Sequence, residues 1–328
     1  MMMMRFAILG IGAGVAAALL FASVTSGIWM SIPLFYLAPL PIMIAGLGWS
    51  HWAALIASLT GALTLGTVFG VVFLFAFLAG AGVPAWWLGY LAMLARPVAA
   101  NGADDRQAAG LEWYPPGRLV IWAALLAALV VIVAIPNFGT DADSFRAGLR
   151  SALNAILRTE IAAPADAPSG MPARADRLID FLVSAIPMAA AVLATMTNLF
   201  NLWLAARIVR FSGRLARPWP QLSALRFPPL LMAVLALSVA CSFVDGLLGI
   251  VAGIASAALL LAYGVLGFAV LHAITLGLQI RPFLLGLAYA AVFLIGWPML
   301  ALCLLGLIDT AFDLRGRVAS KRGPPAVT

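Results

Sequence analysis

Few residues in this 328-residue chain are of a type and spacing that could do chemistry. In GLIDTAFDLRGR, Asp309, Asp313 and Arg315 place two carboxylates and a guanidinium within two helical turns, where they could pair with one another or hold a polar group. Asn198 and Asn201 put amides in an apolar stretch, where each polar group needs a partner. They could knit helices together or form a docking surface. His272 titrates at about 6.5 if unperturbed and could shuttle a proton. No acid shares its helix, so the sequence supports a hydrogen-bonding role more than a relay. Asp180 and Asp245 stand at the edges of apolar stretches, where they could face an external ligand. The chain has no HExxH, no GxSxG, no close histidine–acid pair and no GxxxxGK[ST] phosphate loop. Cys241 and Cys303 each lie inside an apolar run and support neither a disulfide framework nor a metal site. The expectation is therefore a protein that is not an enzyme and has no catalytic residues, cofactor or metal.

The elements that must position these residues are membrane helices. Hydrophobic residues make up 64% of the chain and DEKR 9%, with mean hydropathy +1.09, far from the quarter or so of charged residues in a soluble domain. The net charge of +7 does not indicate nucleic acid, because the arginines flank apolar spans and form no basic domain. The organising stretch is Leu178 to Phe211, apolar for about 50 Å if helical, against a bilayer core of about 30 Å. It must span and overhang. At its end Arg207, Arg210, Arg214 and Arg217 recur at three/four spacing, forming one stripe that the positive-inside rule assigns to the cytoplasm. The loop that follows, RLARPWPQLSALRFPP, contains no acid.

Residues 6–95 carry no formal charge and are long enough for spans near 6–26, 30–48, 51–70 and 71–95. Gly10, Gly14, Ala18 and Ala22 recur every four residues on the first span and make a smooth face for close helix packing, either within the chain or against a separate subunit. Gly10, Gly12 and Gly14 are not a dinucleotide loop, since no strand precedes them. Pro33, Pro39 and Pro41 should kink the second span, with neighbouring helices satisfying the freed carbonyls. His51, between Trp49 and Trp52, falls at an interfacial turn. After a polar loop at 96–117, a fifth span runs from about 118 to 136.

Residues 137–177 form the largest extramembrane piece. In DSFRAGLRSALNAILRTEI, Phe145, Leu149, Leu153, Ile156 and Ile161 line one side while Arg146, Arg150, Asn154 and Arg158 line another, the pattern of an amphipathic helix on the membrane surface. It could roof an external cavity or brace the interface. The central span then returns, and counting from Asp180 puts Asn198 close to the cytoplasmic interface. Spans near 228–244 and 247–278 follow. The last apolar stretch, 281–307, poses a conflict: crossing once would leave the basic tail at 310–328 outside, against the charge rule, whereas a break at Trp297–Pro298 returns it to the cytoplasm. The break is the better expectation. The fold class is thus all-α, one integral membrane domain over 1–328, a polytopic bundle of about eight full spans plus a broken or re-entrant C-terminal hairpin. If the tail is cytoplasmic, Asp309, Asp313 and Arg315 should gather at one inner surface with Asn198, Asn201 and His272.

PLPIMIAGLGW, GVPAWWLGYLAMLARP, the asparagine-to-arginine end of the central helix, GFAVLH and GLIDTAFDLRGR together resemble the YybS-like family of bacterial membrane proteins. That family is similar to the substrate-capturing S components of energy-coupling-factor transporters. The resemblance implies transport in the bacterial cytoplasmic (inner) membrane, with a transmembrane coupling subunit docked on a small-residue face and an ATPase supplied separately. It identifies no cargo, and this chain is larger than an S component. Two readings of function stand. One is a transport-associated subunit holding a small solute near Asp180 and Asp245, with partner docking through Gly10, Gly14 and Ala18. The other is a membrane scaffold whose arginine stripe binds anionic lipid or a cytoplasmic partner.

Overall fold

The computed structural model describes residues 2–97, 110–160 and 171–322. Among them, seven helical segments are long and apolar enough to cross a membrane. The acids Asp104, Asp105 and Asp166, with Ile161 and the last residues of the tail, lie outside the described residues.

The N-terminal half is built from α1 (Met2–Ala22), α2 (Ser31–Tyr36), α3 (Pro39–Gly48), α4 (His51–Phe69), α5 (Val71–Phe77) and α6 (Val83–Ala92). A π-helical turn, Leu78–Gly82, joins the last two just ahead of Pro84, which has no N–H to donate. Ser58 on α4 donates across to the Gly82 carbonyl at 2.9 Å. A two-stranded ribbon, β1 (Ala95–Pro97) with β2 (Leu111–Trp113), closes the loop into α7 (Pro116–Ala134). Then come α8 (Ala142–Glu160), whose Phe145 and Leu149 are buried in the bundle, the 41-residue α9 (Met171–Phe211), α10 (Leu230–Cys241) and α11 (Leu247–Ile274). The chain ends in α12 (Arg281–Ile295), α13 (Pro298–Phe312) and α14 (Leu314–Arg322).

Three features bear on function. The first is the small-residue face of α1. A Cβ at Gly10 would lie 2.8 Å from the Ala53 carbonyl oxygen, and one at Gly14 would lie 2.8 Å from Cβ of Thr60, so only glycine lets α1 and α4 approach this closely. Ala18 is buried in the same contact region. Of the two readings of this face, packing within the chain is the one that forms: the chain's own α4 covers Gly10 and Gly14, which removes the reading that docks a separate subunit there.

The second is the C-terminal stretch, which breaks where the sequence places it. Gly296 takes φ +81°, a left-handed conformation that favours glycine, and α12 and α13 of 15 residues each lie on either side. Each is about 22 Å long, short of a bilayer core. Met299, just past the break, packs against Gly264 well inside α11. The seventh expected span, 228–244, is helical only over the 12 residues of α10, about 18 Å.

The third is a division of the core. One buried cluster joins α1, α3, α4 and α6 with Leu119, Ala123 and Leu126 of α7. A second joins α10, α11 and α13 with Val120, Ala124 and Ala128 from the adjacent stripe of α7. The long helix serves both: Ile179, Val183 and Ala191 lie in the second cluster, whereas Ala205 and Val209 lie in the first. α9 therefore passes from one sub-bundle to the other and crosses α7 on the way.

Candidate functional site

Three levels along α9 carry the polar residues. At the end opposite the arginine stripe, α8 lies against the start of α9. Asp141 caps α8, its Oδ1 accepting from the N–H of Asp143 (3.0 Å) and Ser144 (2.9 Å). The Ser144 bonds hold the Asp141 carboxyl below the usual range. Arg150 bonds Asp180 at 2.6 Å and reaches Asp176 at 3.4 Å. Asp180 is thus engaged by α8, and the brace is formed by the chain itself. Asp245 lines a crevice of about 180 Å³ with Arg146, Ser184 and Met188. Ser184 donates to the Asp180 carbonyl one turn back along α9, so the crevice adjoins the Asp180 region while the Asp180 carboxylate itself is held by Arg150.

Further along α9, inside the bundle, the broken second span explains one asparagine. In an unbroken helix the Tyr36 carbonyl would accept from Leu40, but that N–H goes to Leu37 at 3.0 Å, and Pro39 and Pro41 have no N–H. Asn201 reaches across from α9 and donates to the Tyr36 carbonyl at 2.8 Å, as well as to Thr197 on its own helix. Its Oδ1 has no hydrogen-bond partner among the described residues. Asn198 donates to the Ala123 carbonyl at 3.2 Å, at the crossing of α7 and α9. Ala123 lies about 10 Å along α7 from its start, so Asn198 is inside the bundle.

Next to this crossing is a cavity of about 340 Å³ between α1, α2, the π-helical turn, α7 and α9. Its wall is apolar except for Asn198, Thr197 and the Tyr36 region, with Phe21, Gly80 and Val131 among the rest. Sequence reasoning missed it. Its only local signals are the π-turn, which composition does not reveal, and Pro39 and Pro84.

At the arginine-rich end, the stripe divides. Arg217 is half-buried and donates to the carbonyls of Ala92 and Tyr114, both at 2.8 Å, clamping the end of α6 to the start of α7. Burial pulls its guanidinium below its ordinary value. Arg214 stacks on Trp49 at 4.7 Å. Arg207 and Arg210 flank Trp219, at 5.6 and 5.1 Å from its ring, and Arg207 also lies 5.9 Å from Trp203. Among the described residues none of these four arginines meets a carboxylate within ion-pair distance.

Asp309, Asp313 and Arg315 form a latch. The Arg315 guanidinium donates to Asp309 at 2.7 and 3.0 Å, its backbone N–H donates to the same carboxylate at 3.1 Å, and Nη1 donates to the carbonyls of Ser223 and Leu225. Both side chains are almost wholly buried. Asp313, at φ +46°, ends α13 and pairs with Arg226 at 3.1 Å. These bonds bring the start of the tail to the loop after the arginine stripe, as the broken hairpin requires. The expected single inner cluster does not form. Asn198 and Asn201 bond carbonyls in the first half of the chain, the two acids bond arginines, and His272 bonds the Phe268 carbonyl on its own helix beside Tyr289. Each is engaged by a different partner, so none of them bonds across the three groups. Among the described residues no three of His, Cys, Asp and Glu gather to hold a metal ion.

These features define a polytopic helical membrane protein. The chain belongs to the family described as Predicted membrane protein (DUF2232), whose model matches residues 14–310. No curated protein and no solved structure matches it.

Proposed function

We propose that the chain is a solute-holding subunit of a transport system in a bacterial cytoplasmic membrane. The observation that carries this reading is the cavity of about 340 Å³ beside the α7–α9 crossing. Its volume falls within the range of about 300–1,000 Å³ typical of small-molecule sites, and its composition, apolar with a few fixed polar groups, matches theirs. A π-helical turn in the wall is a further support, because such turns concentrate at functional sites. The lining suits a small, largely apolar solute that offers one or two hydrogen-bonding groups to Asn198 and Thr197. With the arginine stripe cytoplasmic, the cavity lies in the outward half of the bundle. In this reading the chain performs no covalent chemistry, and an ATPase and coupling subunit come from other chains. That subunit docks somewhere other than the Gly10–Gly14 face, which α4 occupies.

Native mass spectrometry of the full chain extracted from its own membranes tests the reading. A retained small molecule that disappears in Ala194→Phe, which fills the cavity, is the expected result. A wild-type protein carrying no small molecule, or a molecule retained equally by the variant, would remove it.

A further inference from the structure

We infer that the arginine-rich end carries a selective site for an anionic glycerophospholipid, with the headgroup phosphate against Arg207 and Arg210 and an acyl chain in the groove beneath. This does not rest on the solute reading. It concerns a different cavity, of about 380 Å³, lined among others by Leu119, Leu199, Trp203, Leu215 and Trp219. The lining is almost wholly apolar, and Arg217 is the single charged residue in it.

Three observations specify the occupant. Trp203 and Trp219 belong both to the groove and to the cation stacks, so the apolar slot and the guanidinium pair are contiguous. Arg207 and Arg210 are exposed and have no carboxylate partner among the described residues, which leaves their N–H donors free for a phosphate. Arg214 and Arg217 are already engaged by Trp49 and by two carbonyls, so the available charge is concentrated at one place. A groove that is greasy below and doubly cationic at its mouth complements a lipid with a negative headgroup. A zwitterionic lipid brings the same phosphate together with an ammonium that the two arginines repel, so its headgroup is held less well, and a free anion satisfies only the upper part.

The test uses the full chain in nanodiscs of mixed phosphatidylglycerol and phosphatidylcholine, released into native mass spectrometry. Wild type should retain phosphatidylglycerol in preference to phosphatidylcholine, and Arg207→Gln/Arg210→Gln should cut that preference roughly thirtyfold, two charges near the membrane surface each contributing about fivefold. Arg150→Gln, at the opposite end of α9, should leave it unchanged. Quenching of tryptophan fluorescence by phosphatidylglycerol brominated on its acyl chain, reduced in Trp219→Phe, gives a second readout. Equal retention of both lipids, or an unchanged preference in the double variant, overturns the site. So does displacement by millimolar inorganic phosphate, which would mean a free-anion site. Lipid-free dimers would overturn it too, by giving the groove to a second copy.

Discussion

The two ends of α9 use arginine in opposite ways. At the α8 end, Arg150 meets Asp180 and Asp176, and the guanidinium is neutralised by the chain that carries it. At the other end, Arg207, Arg210, Arg214 and Arg217 meet tryptophan rings and backbone carbonyls. The first arrangement binds α8 to α9 and leaves no positive charge over from Arg150. The second holds loops in place with Arg214 and Arg217 and leaves the positive charge of Arg207 and Arg210 available. Arg315 is a third case, buried with Asp309 and satisfied on every side. A single residue type thus serves as brace, clamp, latch and open cation, according to what packing sets opposite it.

Breaking the latch should have the largest effect. Asp309→Asn leaves a buried guanidinium without its counter-charge and should cost about 3–5 kcal/mol, read as early thermal unfolding in detergent and loss of amide protection in α13 and α14. Asn201→Leu comes next. It strips the Tyr36 carbonyl of its donor inside the bundle and should cost about 1–3 kcal/mol, with exchange rising around the α2–α3 break. Arg150→Gln removes an exposed pair and should cost no more than about 1 kcal/mol globally, loosening α8 alone. Arg207→Gln/Arg210→Gln should change stability by about 1 kcal/mol, the worth of exposed stacks on Trp219, while altering lipid preference, because neither arginine holds a carboxylate or a carbonyl in place. If that variant unfolds as Asp309→Asn does, the distinction between open and load-carrying arginines collapses. Acid gives the mildest test. The Asp141 carboxyl is depressed in the folded state, so its capping contribution is present above its ordinary value of 3.8 and lost as pH falls toward the lowered one. Exchange at the Asp143 and Ser144 amides should rise over that window.

Much of the architecture is legible in the residues. An uncharged stretch from Phe6 to Ala95 has to cross repeatedly, the α8 stripe of Phe145, Leu149 and Leu153 has to be covered, as the bundle core covers it, and Gly296 before Trp297–Pro298 marks a break. These follow from local periodicity and backbone chemistry. Partner identities are not legible. Asp180 and Asp245 look alike in the sequence, yet one is bonded to Arg150 and the other lines a crevice. Asn198 was readable as needing a partner, but its depth depended on where α9 begins and how it crosses α7.

What the sequence by itself determined is the class, most of the long apolar helices, the amphipathic α8, the break in the last apolar stretch and the basic end, because hydrophobicity, proline and charge act over a few turns of one helix. The tertiary structure decided that α4 fills the glycine face of α1, that Asn201 replaces the donor lost at the prolines, and that Arg315 takes Asp309 while Arg207 and Arg210 take no acid. Each of those outcomes depends on which helix stands opposite at a given depth. Contacts between residues as far apart as Tyr36 and Asn201 are set by how the helices cross, which no local pattern encodes.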